Sequence, residues 1–264
     1  MSVGHTATVD VAVGSGFALL VGLSAASRGP RGDLELTLAD ALDTVGDSEG
    51  ETWLNLLGVA LDAGPPYGSQ QLLDALRTIE GVELRRHLLG RFAWSWCTLA
   101  GIDDIESAAA GNRSASRRLL EHPRYYGGHA AASLATLLPL DAQETQARLV
   151  RAVEAAQSLA GNSKAQLVAA AASADAALFE LAPLTAIERL TNGYRYVPEI
   201  EAERVVLIPH LEPALPLVLA QHRSARLIAY LAEPDRGAQE RLPEHREPLL
   251  GAPIGLGEKG AEPS

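Results

Sequence analysis

His129 has the most cleft-like surroundings of the histidines, since it follows Tyr125, Tyr126 and the pair Gly127-Gly128. An imidazole titrates near neutral pH, so a histidine in a cleft with support from Asp or Glu could act as a general base. A packing or surface histidine at a helix start produces the same local pattern. The sequence leaves both interpretations open.

Aromatic residues are scarce, yet three of them, Phe92, Trp94 and Trp96, lie within five positions. Trp and Tyr combine an apolar body with a polar atom, which suits them to line a ligand pocket. Core packing is the alternative for each tryptophan taken singly. The candidate ligand-binding residues are Trp53, Trp94, Trp96, Tyr125, Tyr126 and His129.

The sequence carries no pattern typical of a metal site or of nucleophilic catalysis. No two of its seven histidines have the i, i+4 spacing with an intervening Glu that zinc hydrolases use. Cys97 is the only cysteine, which excludes an intramolecular disulfide and a thiolate zinc cluster. We therefore predict no metal site, name no catalytic residue and leave the cofactor unknown.

The glycine-containing run Gly14-Ser15-Gly16 stands between a predicted strand and a predicted helix, as the phosphate-binding turn of a dinucleotide fold does. Leu19 occupies the position of the third glycine, and helices rather than a second parallel strand are predicted next. The outer glycines of a nucleophile elbow are also missing around Ser15. We interpret the run as a plain strand-to-helix turn.

The elements that would position these residues are mostly helices. Residues 8–13 alternate with the two-residue period of a strand, whereas residues 33–192 carry mainly helical signals, with capping start signals at Asp103 and Asp141 among others. Apolar runs at 204–209 and 226–231 predict two more strands. We therefore predict an α+β fold, mainly α: a helical bundle with a small sheet formed by strands near the N-terminus and in residues 204–231.

One predicted helix carries a regular apolar seam. Its members recur in alternating steps of four and three residues, a spacing suited to packing against another helix. The seam could lie inside the protein or form a dimer contact. Its residues are Leu167, Ala171, Ala174, Leu178 and Leu181.

Composition indicates how the chain is divided into domains and which classes of partner are disfavoured. We predict one domain over residues 1–233 and a flexible tail, rich in Pro, Gly and Glu, over residues 234–264. The net charge of −11 argues against direct contact with nucleic acid or anionic lipid. A polar N-terminus, the lack of a membrane-length apolar run and the single cysteine predict a cytoplasmic protein.

The order of features near the end of the predicted domain resembles a known regulator class. Leu-Thr-Asn-Gly-Tyr194-Arg-Tyr196 is followed by the apolar run ending at Pro209-His210, and then by Arg226-Leu-Ile-Ala-Tyr230. This order is similar to the effector region of actinobacterial-type ArsR-like winged-helix transcriptional regulators. The resemblance implies a dimeric effector domain with a cavity for a small molecule.

The sequence departs from that class after the resembling region. Where those regulators continue into a helix-turn-helix, this chain has a glycine-rich run at 251–257, so their DNA-binding activity is not carried over. Our leading hypothesis is a stand-alone regulatory or sensor domain that binds a small, largely apolar ligand between helices. The alternatives are a small enzyme of unrecognised class with His129 in a cleft, and a protein-protein scaffold that pairs through the apolar seam.

Overall fold

A computed structural model describes residues 7–30, 32, 34–94, 100–125, 131–157 and 164–232. The chain is mainly helical and contains one small mixed sheet, which confirms the predicted α+β class. The predicted tail at 234–264 and the candidate residues Trp96, Tyr126 and His129 lie outside the described residues.

The helices and strands have the following bounds. The helices are α1 (Ser15–Arg28), α2 (Leu36–Val45), α3 (Glu51–Asn55), α4 (Leu57–Asp62), α5 (Ser69–Thr78), α6 (Gly81–Leu88), α7 (Ile102–Ala109), α8 (Arg113–Glu121), α9 (Ala131–Leu137), α10 (Ala142–Ala155), α11 (Lys164–Glu180) and α12 (Pro183–Leu190). The strands are β1 (Thr8–Val11), β2 (Arg204–His210), β3 (Leu217–His222) and β4 (Ala225–Leu231).

The sheet joins the beginning and the end of the described chain. Its strand order is β1-β2-β4-β3, with β1, β2 and β4 parallel and β3 antiparallel to β4. The central strands β2 and β4 are almost completely buried, as their continuous apolar runs require. Strand β3 was not predicted, because Pro213 and Pro216 suggest an irregular segment and its residues are less apolar.

Helices cover both faces of the sheet. Val206 and Leu227 pack into the main core with α1 and the bundle, whereas Val205 and Ile228 pack on the opposite face. Helices α11 and α12 cover that second face. Ala174 of α11 belongs to a separate apolar cluster there. The molecule thus has three layers: the helical bundle, the sheet, and the α11–α12 pair.

The predicted apolar seam lies inside the protein. Leu167, Ala171 and Ala174 are buried, and Leu178 and Leu181 pack against the cluster on the outer face of the sheet. Of the two alternatives that the sequence left open for this seam, the internal one is therefore correct.

The predicted start signals have mixed outcomes. The Asp141 side chain accepts a hydrogen bond from the Glu144 N–H at 2.7 Å and caps α10 as expected. Helix α7 instead begins after Gly101, with Asp103 in its first turn and no side-chain cap. None of the described helices has the length and apolarity needed to cross a bilayer.

Candidate functional site

Two of the predicted ligand-binding residues are core residues with occupied polar atoms. Trp53 is fully buried, and its Nε1 donates to Ser27 Oγ at 2.8 Å. Tyr125 is also buried, and its hydroxyl donates to the Leu89 carbonyl oxygen at 2.8 Å. Both follow the core-packing interpretation, in which a buried indole or phenol finds a protein partner for its polar atom.

The third described candidate, Trp94, is held against the turn between β3 and β4. Its Nε1 donates to the Arg223 carbonyl oxygen at 2.8 Å, and its backbone N–H donates to Gln221 Oε1 at 2.9 Å. The Arg226 guanidinium lies 4.7 Å from the centre of a Trp94 ring. Trp94 therefore ties the segment after α6 to the sheet.

A narrow apolar cleft lies between α6 and the α9–α10 region. The cleft is too narrow to admit a water molecule. Arg85 borders the cleft, and its Nη2 donates to the Leu138 carbonyl oxygen at 2.9 Å. Leu89, the partner of Tyr125, also lines it.

The loop that precedes α5 packs against the Gly14-Ser15-Gly16 run at the start of α1. The Gly16 N–H donates to the Tyr67 carbonyl oxygen at 2.8 Å, and the Ser69 N–H donates to Ser15 Oγ at 2.8 Å. A Cβ atom on Gly14 would lie 2.2 Å from the same Tyr67 oxygen. The Tyr67 carbonyl oxygen thus already engages the Gly16 N–H that a phosphate would use, which agrees with the plain-turn interpretation.

A cluster of polar and aromatic side chains joins the bundle to the sheet, and we call it the hairpin cluster. It consists of Asp62, His87, Phe92, His222 and Arg223. His222 Nε2 lies 2.9 Å from Asp62 Oδ1. The His87 and His222 rings stack with centres 5.4 Å apart, and the Arg223 guanidinium lies 4.6 Å from the centre of the Phe92 ring.

Burial and neighbouring groups together set the pKa values of His87 and Asp62 in this cluster. Burial, together with the nearby His222, lowers the pKa of His87 to about 4, so His87 is neutral at physiological pH. Partial burial alone would raise the pKa of Asp62, but the hydrogen bond from His222 and the charge of Arg223 hold it below its usual value. The cluster is therefore arranged to keep Asp62 ionised.

The hairpin cluster contains a base and an orienting carboxylate, the pairing that general-base catalysis uses. Its geometry, however, closes the histidine to a substrate. His222 is only 3% exposed, and its Nε2 faces Asp62. Its Nδ1 packs so closely on Gly58 that a Cβ atom added to this glycine would lie 2.4 Å from it. The arrangement is therefore better explained as a structural contact between the helical bundle and the sheet than as an active site.

Sequence reasoning missed this cluster because its members are far apart in the chain. His222 and Asp62 are separated by 160 residues. Local spacing carries no signal for such a pair. An alignment showing covariation between these positions would be the kind of signal that reveals it.

A second buried ionisable site lies at the contact of α1 and α3. Burial is the main cause that raises the pKa of Glu51 to about 7, and the Asp47 charge adds to it. The Arg28 guanidinium, with Nη2 3.5 Å from Glu51 Oε1, opposes the rise only in part. In the described part of the chain, no group of His, Cys, Asp and Glu side chains could hold a metal ion.

The outer surface of α11 carries an apolar stripe bordered by polar residues, although the inner seam of this helix already packs on the sheet. A second series of residues recurs in steps of four and three on this outer face, and we call it the exposed seam. Val168 borders it. The members are Ala165, Ala169, Ala172, Ala176 and Phe179.

The exposed seam is open to solvent along its whole length. Phe179 is 92% exposed and Val168 is 54% exposed. The sequence alone does not reveal this face, because alanines dominate it and a run of alanines predicts a helix without indicating which side is buried. The exposed positions of Phe179 and Val168 are what distinguish it.

Comparison of the chain with protein-family models, with curated proteins and with solved structures finds no match. The function is therefore argued from the residues of this chain.

Proposed function

We propose that the chain is a non-enzymatic regulatory domain that acts through protein contact. In this proposal, the exposed seam of α11 is the contact surface, and its occupant is an apolar helix of the partner protein. The resemblance to regulator effector regions is compatible with such a role, because it implies a dimeric effector domain.

The observation that carries the proposal is the apolar character of α11 on both of its sides. A helix packed on one side in a single protein normally presents charged and polar residues on the other. Here the middle of the opposite side presents Phe179, Val168 and a line of alanines, and the exposed polar residues Gln166, Ser173 and Asp175 lie at its margins. A solvent-exposed apolar stripe of this kind marks an interaction surface.

The spacing of the exposed seam supports a helix as the occupant. Steps of four and three residues keep side chains on one narrow stripe, the arrangement by which two helices interlock. The alanines allow a second helix to approach closely. From Ala165 to Phe179 the stripe is about 21 Å long, at roughly 1.5 Å per residue.

Two further observations support a regulatory rather than a catalytic role. His222, which pairs with the carboxylate of Asp62, is buried, so this pair is closed to a substrate. The acidic net charge of −11 and the single cysteine are consistent with a cytoplasmic domain that contacts protein rather than nucleic acid.

Photo-crosslinking in living cells of the host tests this function. A benzophenone amino acid replaces Phe179 in one variant and Ile200 in another; Ile200 is 95% exposed and lies outside α11. We expect a discrete protein adduct at position 179 that disappears when Ala172→Glu is added, and none at position 200. No adduct at 179, or equal labelling at both positions, would refute the proposal.

A small apolar ligand is a second candidate element of this function, favoured by the cleft beside Leu89 and Arg85. Such a ligand would have to widen the cleft, because water does not fit in it. With indole as the probe at saturating concentration, we expect a rise in the unfolding temperature. If neither indole nor a small aliphatic alcohol changes the unfolding temperature, the cleft does not bind a small apolar ligand.

A further inference from the structure

We infer that Asn192 is a site of spontaneous deamidation, and that the C-terminal cap of α12 controls the rate of this modification. Asn192-Gly193 is the only Asn-Gly pair in the chain, and both residues are exposed just after the end of α12. The reaction requires neither an enzyme nor a cofactor. The inference is independent of the protein contact proposed for α11.

The reaction needs only these two residues and water. The Gly193 backbone nitrogen loses its proton to solvent and attacks the side-chain carbonyl carbon of Asn192. A C–N bond forms, the side-chain amide nitrogen leaves as ammonia, and a five-membered succinimide ring results. Water then opens the ring at either carbonyl, which gives aspartate or isoaspartate at position 192. A glycine in the second position favours the attack, since it has no side chain to shield its nitrogen.

In the folded chain, the cap of α12 occupies the attacking nitrogen. The Gly193 N–H donates to the Glu188 carbonyl oxygen at 2.7 Å, and Asn192 has a left-handed backbone conformation with a φ of 57°. This is the Schellman arrangement that ends many helices. Ring closure removes the hydrogen from the Gly193 nitrogen, so the bond to Glu188 must break first. The reaction therefore proceeds while the end of α12 is open.

Two further contacts hold the cap closed. Thr191 Oγ1 donates to the Ile187 carbonyl oxygen at 2.6 Å. Arg195 Nε donates to Glu188 Oε1 at 3.1 Å, but Arg195 is 85% exposed and this ion pair adds little. The end of a helix opens at a much smaller free-energy cost than the whole fold. Asn192 is thus expected to react in the native protein, only more slowly than in the unfolded chain.

Both products of the reaction weaken the cap. Aspartate places a negative charge at the C-terminal end of α12, where the helix dipole disfavours it. Isoaspartate adds one carbon atom to the main chain, so the Gly193 N–H no longer has the register that reaches Glu188. The segment that follows carries Tyr196, which is buried in the apolar cluster on the outer face of the sheet. Deamidation therefore loosens the attachment of this segment to the outer layer.

Peptide mapping of the full chain after prolonged incubation tests the site. The readouts are the mass change from an amide to a carboxyl group, and isoaspartate detected with an isoaspartyl methyltransferase. We expect Asn192 to convert in native buffer at a rate at least about fivefold below its rate in guanidinium chloride. Asn112, which caps α8 and precedes Arg113, is the internal control and should stay unconverted in native buffer. No conversion of Asn192 in native buffer, or a smaller difference between the two rates, would overturn the inference.

A matched pair of threonine variants tests control by the cap. Thr191→Ala removes the hydrogen bond to Ile187. Thr78→Ala removes a bond of the same kind at the end of α5, where Thr78 Oγ1 donates to the Asp74 carbonyl oxygen at 2.8 Å. We expect the native conversion rate of Asn192 to rise at least threefold in Thr191→Ala and to change less than twofold in Thr78→Ala. Equal native rates in the two variants would show that the cap does not control the reaction.

Hydrogen exchange before and after incubation tests the consequence. In the parent protein, the peptide that contains Gly193 and Tyr196 should exchange faster once position 192 has converted. Asn192→Gly removes the reactive amide and retains the left-handed conformation, so its exchange should not change with incubation. Unchanged exchange in fully converted parent protein would overturn the predicted loosening of this segment.

Discussion

At the scale of single residues, buried titratable groups couple the stability of this protein to pH. Burial raises the pKa of Glu51 to about 7, and burial alone lowers the pKa of His210 to about 4. These shifts act in opposite directions. The raised carboxyl pKa favours the folded state in acid, whereas the lowered imidazole pKa makes acid destabilise it.

Glu51→Gln isolates the first of these effects. Between pH 4.5, the ordinary value, and pH 7, the folded state binds a proton that the unfolded state releases, so stability falls as pH rises through that window. At pH 8 the variant should therefore be more stable than the parent by about 2 to 3 kcal/mol, and at pH 4 nearly unchanged.

Urea unfolding at the two pH values measures this difference. Glu49→Gln is the matched control, because Glu49 is a neighbouring carboxylate that is exposed. It should change stability by less than about 0.5 kcal/mol at either pH. Equal effects of both substitutions at pH 8 would mean that Glu51 is charged without penalty in the fold.

At the scale of elements, the hairpin cluster locks the end of β3 against α4 and α6. Gly58 is essential to this contact, because its missing side chain leaves room for the His222 ring, and the ring is fixed by Asp62 and His87. A neighbour so constrained cannot move aside at low cost.

Gly58→Ala should therefore destabilise the protein by more than about 2 kcal/mol, although alanine favours helices. The control is Gly22→Ala in α1, where an added Cβ meets no atom within 4 Å, and it should stabilise by about 0.5 to 1 kcal/mol. Thermal unfolding of both variants gives the comparison. A neutral Gly58→Ala would show that the cluster yields readily and does not lock the layers.

How much of each element the sequence could predict depends on the range of its contacts. The strands β1, β2 and β4 and the helical region have local apolar periodicity, and they were predicted. Strand β3 and the hairpin cluster depend on pairing with distant residues, such as His222 with Asp62 and with β4. Local patterns contain no information on those pairings.

The same difference between local patterns and long-range contacts applies to the candidate site residues. Sequence spacing selected the aromatic residues, and the described ones prove to be anchored: Trp53 and Tyr125 in the core, and Trp94 against the hairpin. The exposed seam was overlooked, because alanines on a helix do not show which face is covered. Only the position of α11 on the sheet reveals that its second face is bare.

At the scale of the whole molecule, the three layers leave the outer face of α11 uncovered. In the described residues, the bundle and the inner face of the sheet share one apolar core, and α11 with α12 covers the outer face of the sheet. The remaining apolar surface of α11 points away from that core. In the proposed function, a helix of the partner covers this surface.

The most direct test uses the three phenylalanines of the chain as reporters. In protein labelled with 4-fluorophenylalanine, ¹⁹F NMR resolves the fully buried Phe17, Phe92 of the hairpin cluster, and Phe179, which is 92% exposed. We predict that the Phe179 resonance is solvent-exposed in dilute buffer and becomes protected in concentrated host-cell extract, while the Phe17 resonance does not move. A Phe179 resonance that remains fully solvent-exposed in both conditions would contradict it.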